Sequence, residues 1–154
     1  MDMPKPGAEH AKLQRFVGSW IGDEILAPSP WGPGGPAVGR SHMRVALDGM
    51  AMLMDYEEEK DGVIVFRGHG VFGVDPQSGE ALWWWFDNMG IPPLSPSRGT
   101  WDGDTLTFVS SSERGTGRYT YRFEGRDRYD FRIENRFPGQ PDFSDFMRGS
   151  YRRA

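Results

Sequence analysis

The sequence contains no cysteine, which excludes thiol catalysis, disulfide bonds and cysteine-based zinc or iron–sulfur sites. Histidine is scarce as well: His10, His42 and His69 are the whole set. No two of them stand at metal-ligand spacing, and none forms a His-x-Glu-like pair with a carboxylate, so no metal site is expected. Long apolar runs are missing, and a membrane-spanning helix needs about eighteen such residues or more. The N-terminal stretch MDMPKPGAEHAKLQRF has no apolar segment of signal-peptide length. Charge of one sign is lacking too. With 22 acidic against 18 basic residues, a net charge of −4 leaves no electrostatic footprint for nucleic acid or an anionic membrane. The expectation is a soluble, cytoplasmic protein without a nucleic-acid or membrane partner.

Recognisable catalytic motifs are absent in the same way. Ser110-Ser111-Ser112 is no nucleophile elbow, and no Gly-x-Ser-x-Gly occurs. Gly68-x-Gly70-x-x-Gly73 spells a dinucleotide fingerprint but runs into Asp75-Pro76 rather than a helix. Its glycines fit bending or close packing of a strand.

What the chain does have is aromatic residues, 14% of the total, with 21 glycines and 12 prolines among 154 residues. That length fits one domain with one core, here residues 1–154. Aromatics fill a sheet interior, and Gly and Pro supply turn dihedrals. One short helix is predicted, where Leu13, Phe16 and Val17 form an apolar edge that ends at Gly18. Strand patterns follow at 20–26, 40–47, 50–60, 63–74, 80–87, 99–101, 105–112, 118–124, 128–137 and 144–152. Asp48-Gly49, Asp61-Gly62 and Asp102-Gly103 are hairpin signals. The Pro- and Gly-rich segment 27–39 is expected to stay outside any ladder. About ten strands joined by tight turns, with no crossover helices, predict a mainly β fold: an antiparallel up-and-down barrel with a short N-terminal helix.

Three segments in register carry a resemblance. They are Glu9-His10-x-x-Leu13-x-x-Phe16-Val17-Gly18-x-Trp20-x-Gly22, then Phe66-x-Gly68-x-Gly70-x-x-Gly73-x-Asp75-Pro76, then Trp85-x-Asp87-x-Met89 followed by Gly99-Thr100-Trp101-Asp102. Over essentially its whole length the chain resembles the bacterial family called domain of unknown function 1579. The resemblance implies a calycin-like barrel, similar to lipocalins and fatty-acid-binding proteins, and supplies no activity. Gly18-Ser19-Trp20 is also similar to the glycine-x-tryptophan element of lipocalins, where a C-terminal basic residue packs over the Trp. Arg148 or Arg152 is expected in that role.

Alternation assigns faces. Met52, Met54 and Tyr56 share one side of their strand. Tyr129, Phe131, Ile133 and Asn135 oppose Asp130, Arg132, Glu134 and Arg136, and Tyr119, Tyr121 and Phe123 oppose Arg118, Thr120 and Arg122. Trp83-Trp84-Trp85 cannot all point inward, so Trp84 and Phe86 need an outer cover, a homodimer partner or a ligand. The favoured function is binding of a small hydrophobic or aromatic molecule by Arg67, His69, Trp83, Trp85, Asp87, Trp101, Tyr121 and Phe131. No cofactor is required, although haem-binding ten-stranded barrels with one axial histidine make His69 a candidate haem ligand. The alternatives are a cyclase- or isomerase-like enzyme using His69, Arg67 or Asp87 as acid–base group, or a homodimeric interaction module.

Overall fold

In the computed structural model, which describes residues 1–154, helix α1 (Ala8–Leu13) continues into a 3-10 turn at Gln14–Phe16. Ten strands follow: β1 Gly18–Leu26, β2 Gly35–Ala46, β3 Ala51–Lys60, β4 Val63–Val74 and β5 Ala81–Asp87, then β6 Ser97–Asp102, β7 Thr105–Ser112, β8 Gly115–Glu124, β9 Arg128–Arg136 and β10 Ser144–Arg153. Each pairs antiparallel with its sequence neighbour, and β10 returns to pair with β1. The barrel is closed, so no strand edge is left to pair with another chain. No helix is long and apolar enough to cross a membrane.

Closure gives the barrel two ends. The helix lies at the lower end, with the β4–β5, β6–β7 and β8–β9 turns, as the contacts Glu9–Gly79, Arg15–Asp104 and Arg153–Arg126 show. The lower half is a packed aromatic core. Phe16, Phe72, Phe108 and Leu106 are fully buried there, and the Phe16 ring meets Tyr121 and Phe123 edge-to-face at 4.9 and 4.8 Å. Such contacts add to the burial of aromatic area. Trp20 seals this end, its Nε1 donating to the Phe16 carbonyl at 2.8 Å.

The basic residue over Trp20 is Arg153, not Arg148 or Arg152. Its guanidinium sits 4.1 Å from the ring centroid and donates to the carbonyls of Val17 and Arg126. Strand parity explains the difference. Tyr151 and Arg153 face the inside with Tyr129, whereas Arg148 and Arg152 face out toward Asp145 and Asp23.

Two other expectations are corrected. Strand β2 begins at Gly35, inside the segment expected to be free of ladder, with Pro36 opposite Ile25 and Ala37 opposite Glu24. Proline is tolerated there because Pro36 lies at the start of the strand, one residue after Gly35. Leu47–Gly49 is a 3-10 turn with all three residues at positive φ rather than a two-residue hairpin loop. Glu134 faces outward as expected yet is buried. Arg118 binds it through two hydrogen bonds, of 3.0 and 2.9 Å, and the Arg118 and Arg136 guanidinia flank the Phe143 ring from the β9–β10 loop.

Candidate functional site

The upper half of the barrel is hollow. A cavity of about 590 Å³ opens between the β1–β2 loop, the β3–β4 turn and the β5–β6 loop, and 18 of its 27 lining residues are hydrophobic. One wall is aromatic: Trp83 and Trp85 on β5 meet edge-to-face at 5.5 Å, and Tyr121 and Phe131 stack at 4.2 Å. Two glycines of β4 make room for the tryptophans. A Cβ at Gly68 would lie 2.0 Å from Cζ2 of Trp85, and one at Gly70 would lie 2.9 Å from Nε1 of Trp83. At the mouth, Trp31 of the β1–β2 loop is 66% exposed and meets Phe146 edge-to-face at 6.2 Å.

Within this mostly apolar lining, which also includes Lys60 and Asn135, stands one buried polar cluster. Glu24 comes inward from β1 in the same alternation that buries Trp20 and Gly22, and Glu58 comes inward from β3 after Met52, Met54 and Tyr56. Both glutamates are buried. The Tyr56 hydroxyl lies 2.9 and 2.7 Å from the two oxygens of Glu24 and 3.1 Å from Oε2 of Glu58. Tyr151 donates to Glu24 from β10. Room for the Glu24 carboxyl exists because position 39 lacks a side chain: a Cβ there would lie 2.3 Å from Oε2 of Glu24.

The charge balance is decisive. Tyr56 and Tyr151 bring two hydroxyl hydrogens to two buried carboxyls that no cation accompanies, so a proton on one carboxyl relieves the repulsion between like charges. Burial pushes the Glu24 carboxyl up from 4.5 to about 8, against the lowering effect of the Tyr151 and Tyr56 hydrogen bonds, with the Glu58 charge adding to the rise. Tyr56 and Tyr151 are themselves raised by burial and then by the Glu24 charge. Neither glutamate has an ion-pair partner, although their neighbours Glu57 and Glu59 reach Arg67 and Arg40 on the outer face. Chemically the cluster is a buried acid that exchanges protons near neutral pH beside an apolar cavity.

A family model described as "Protein of unknown function (DUF1579)" matches residues 5–153. The chain belongs to the DUF1579 family. No curated protein matches this DUF1579 chain in sequence. Among solved structures, Rv2717c from M. tuberculosis is similar with a TM-score of 0.73 at 15% identity, covering 96% of this chain and 98% of that one. The S-type phycobiliprotein lyase CPES from Guillardia theta is similar with a TM-score of 0.68 at 11% identity, covering 97% and 98%. At these identities the likeness is one of fold.

Of the residues picked from the DUF1579 sequence, the fold brings Trp83, Trp85, Asp87, Tyr121 and Phe131 to the cavity and keeps three away from it. Asp87 sits at the rim, where Oδ2 accepts from Nε1 of Trp85 at 2.9 Å and Oδ1 from the Met89 amide at 3.0 Å. It therefore orders the β5–β6 loop. Arg67 and His69 point outward because Phe66, Gly68 and Gly70 take the inner face; Arg67 pairs with Glu57 at 3.5 Å and His69 with Asp55 at 2.9 Å. An acid–base site joining Asp87 to these two has no geometry here, and His69 does not reach the interior as a haem ligand would. Trp101 lies in the lower half, stacked on Phe123 at 6.1 Å with the Arg15 guanidinium 5.8 Å from its ring. Trp84 faces outward beside Val71 and over Gly73, half-buried by lying along the sheet.

Glu24 and Glu58 were missed by the sequence reading. The available signal was parity: each falls on the inner side of a strand whose other inner residues are apolar.

Proposed function

We propose that this DUF1579 barrel binds a small, largely apolar molecule with a flat ring system in its upper cavity. The observation that carries the reading is the division of the interior. The same aromatic residue types that pack the lower half solid line a space of about 590 Å³ in the upper half, which lies within the usual range of ligand sites. A barrel needing core packing alone would fill both halves. Trp83, Trp85, Tyr121 and Phe131 supply ring faces for stacking, and Asp87 holds the rim. One neighbour of the same fold is named a phycobiliprotein lyase, which supports small-molecule binding by analogy of scaffold.

Titration with N-phenyl-1-naphthylamine, a neutral dye that fluoresces in apolar surroundings, tests this. Saturable binding is expected, weakened about tenfold or more in Trp85→Ala and Phe131→Ala. Arg67→Ala and His69→Ala, on the outer face, should leave it unchanged. A dye that does not bind, or binds equally to all four variants, refutes the reading.

A second reading has its own observation. Phe86 and Val109 are 43% and 44% exposed on the outer face that also carries Trp84, a surface suited to a homodimer contact. Sedimentation equilibrium that finds a monomer at high protein concentration excludes it.

A further inference from the structure

The polar cluster in the cavity wall has a feature that core stability does not account for. Two buried carboxyls, Glu24 and Glu58, converge on one tyrosine hydroxyl with no Arg or Lys paired to either. Buried carboxylates are ordinarily matched by a cation or a full set of donors, because an unmatched buried charge is costly. Other wall groups also lack partners. Nε1 of Trp83 and Oη of Tyr121 belong to lining residues that are 5% and 1% exposed, and neither has a hydrogen-bond partner. Both atoms are sealed within the wall, and the charged groups that border the cavity are Glu58, Asp87 and Lys60, of which Lys60 pairs with neither glutamate.

Resting on the reading of the cavity as a ligand site, we propose that the ligand is an aromatic base: its protonated nitrogen docks on Glu58 while its ring system lies against Trp85 and Phe131. Glu58 is the member of the pair that lines the cavity, whereas Glu24 stands behind Tyr56 and is not part of the lining. An ammonium or amidinium group is donor-only, and so is the complement of an acceptor-only carboxylate. Arriving at Glu58, it supplies the positive charge that the pair lacks, and the proton on Glu24 becomes dispensable. That proton leaves to solvent as the cation binds. No covalent bond forms or breaks.

Three naphthalene probes of equal size and different charge separate the possibilities: 1-naphthylmethylamine, 1-naphthalenemethanol and 1-naphthoate. At neutral pH the full chain is expected to bind the amine about tenfold more tightly than the alcohol, and the naphthoate most weakly. In Glu58→Gln the amine's advantage should shrink to about twofold while the alcohol's affinity stays. Calorimetry in buffers of different ionisation enthalpy should show release of up to about one proton per amine bound, and none with the alcohol. Equal affinities for amine and alcohol, tighter binding of naphthoate, or an amine preference that survives Glu58→Gln each overturns the proposal and leaves the ligand-binding reading intact. If no naphthalene probe binds and N-phenyl-1-naphthylamine does not bind either, it is the reading of the cavity that has failed. Should Glu58→Gln not fold, proton release by the parent protein decides: release on binding the amine supports the proposal, and its absence refutes it.

Discussion

The glutamate pair makes the stability of the fold depend on pH in a direction opposite to that of most surface carboxylates. Folded Glu24 keeps its proton up to about 8, whereas the unfolded chain releases it near 4.5. Between those values the unfolded state binds fewer protons than the folded one, so stability falls as pH rises. The contribution is fully present below 4.5 and is gone above about 8. The interval spans 3.5 pH units, and at about 1.4 kcal/mol per unit the ceiling is about 5 kcal/mol. Relaxation of the wall reduces what is realised, so a loss of about 2–5 kcal/mol is expected. Urea unfolding followed by tryptophan fluorescence, repeated from about pH 5 to pH 9, measures it. Glu24→Gln is the decisive variant. Its amide oxygen accepts from the tyrosines and its NH₂ donates to Glu58, so the bonds persist without a titrating proton. The variant should match the parent at the acid end and exceed it at pH 9 by about 2 kcal/mol or more. A parent whose stability is flat across this range, or a variant that keeps the parent's slope, refutes the reasoning.

Other perturbations give sharp outcomes. Arg153→Ala removes the cation over Trp20 and the donors to Val17 and Arg126; it should cost about 1–3 kcal/mol in urea unfolding, against about 0.5 or less for its exposed neighbour Arg152→Ala. Gly68→Ala places a methyl 2.0 Å from the Trp85 ring, so it should destabilise by about 1–3 kcal/mol and weaken dye binding. Gly73→Ala, with 3.7 Å to Trp84, serves as the tolerated comparison. The hydrogen bond from Arg98, followed by the Gln77 amide, holds Asp75 at about 2, below its ordinary 3.8. Stability linked to Asp75 is therefore present above about 3.8 and lost as pH falls toward 2. Carboxyl carbon NMR of Arg98→Gln should show Asp75 titrating closer to its ordinary value.

The parts of the fold legible in the sequence were those fixed by local rules. Alternation in 128–137 placed Tyr129, Phe131 and Ile133 inside, and the structure lines the cavity with all three. The strands Val63–Val74 and Thr105–Ser112 were bounded by their turn residues and agree residue for residue. What could not be read depended on closure. Which C-terminal arginine covers Trp20 turns on the β1–β10 register, a pairing across nearly the whole chain. The cover over Glu134 comes from a loop whose path no local pattern specifies. The cavity is the clearest case, because a volume left unfilled depends on where side chains from several strands stop short, and no single strand records that. Glu24 and Glu58 differ from these: their parity was readable, but with charged residues so common in the surrounding strands an inward glutamate did not stand out.

The division between a solid lower half and a hollow upper half separates two selective pressures along one axis. Residues below, such as Phe16, Phe72 and Phe108, are constrained by mutual contact, and a change in one strains its neighbours. Residues at the mouth, such as Trp31, Val65 and Met89, border open space and can be exchanged with little cost to folding. Chemical preference can thus diverge among relatives while the barrel persists, and the scaffold offers an engineer a rim to rewrite over a floor to leave alone.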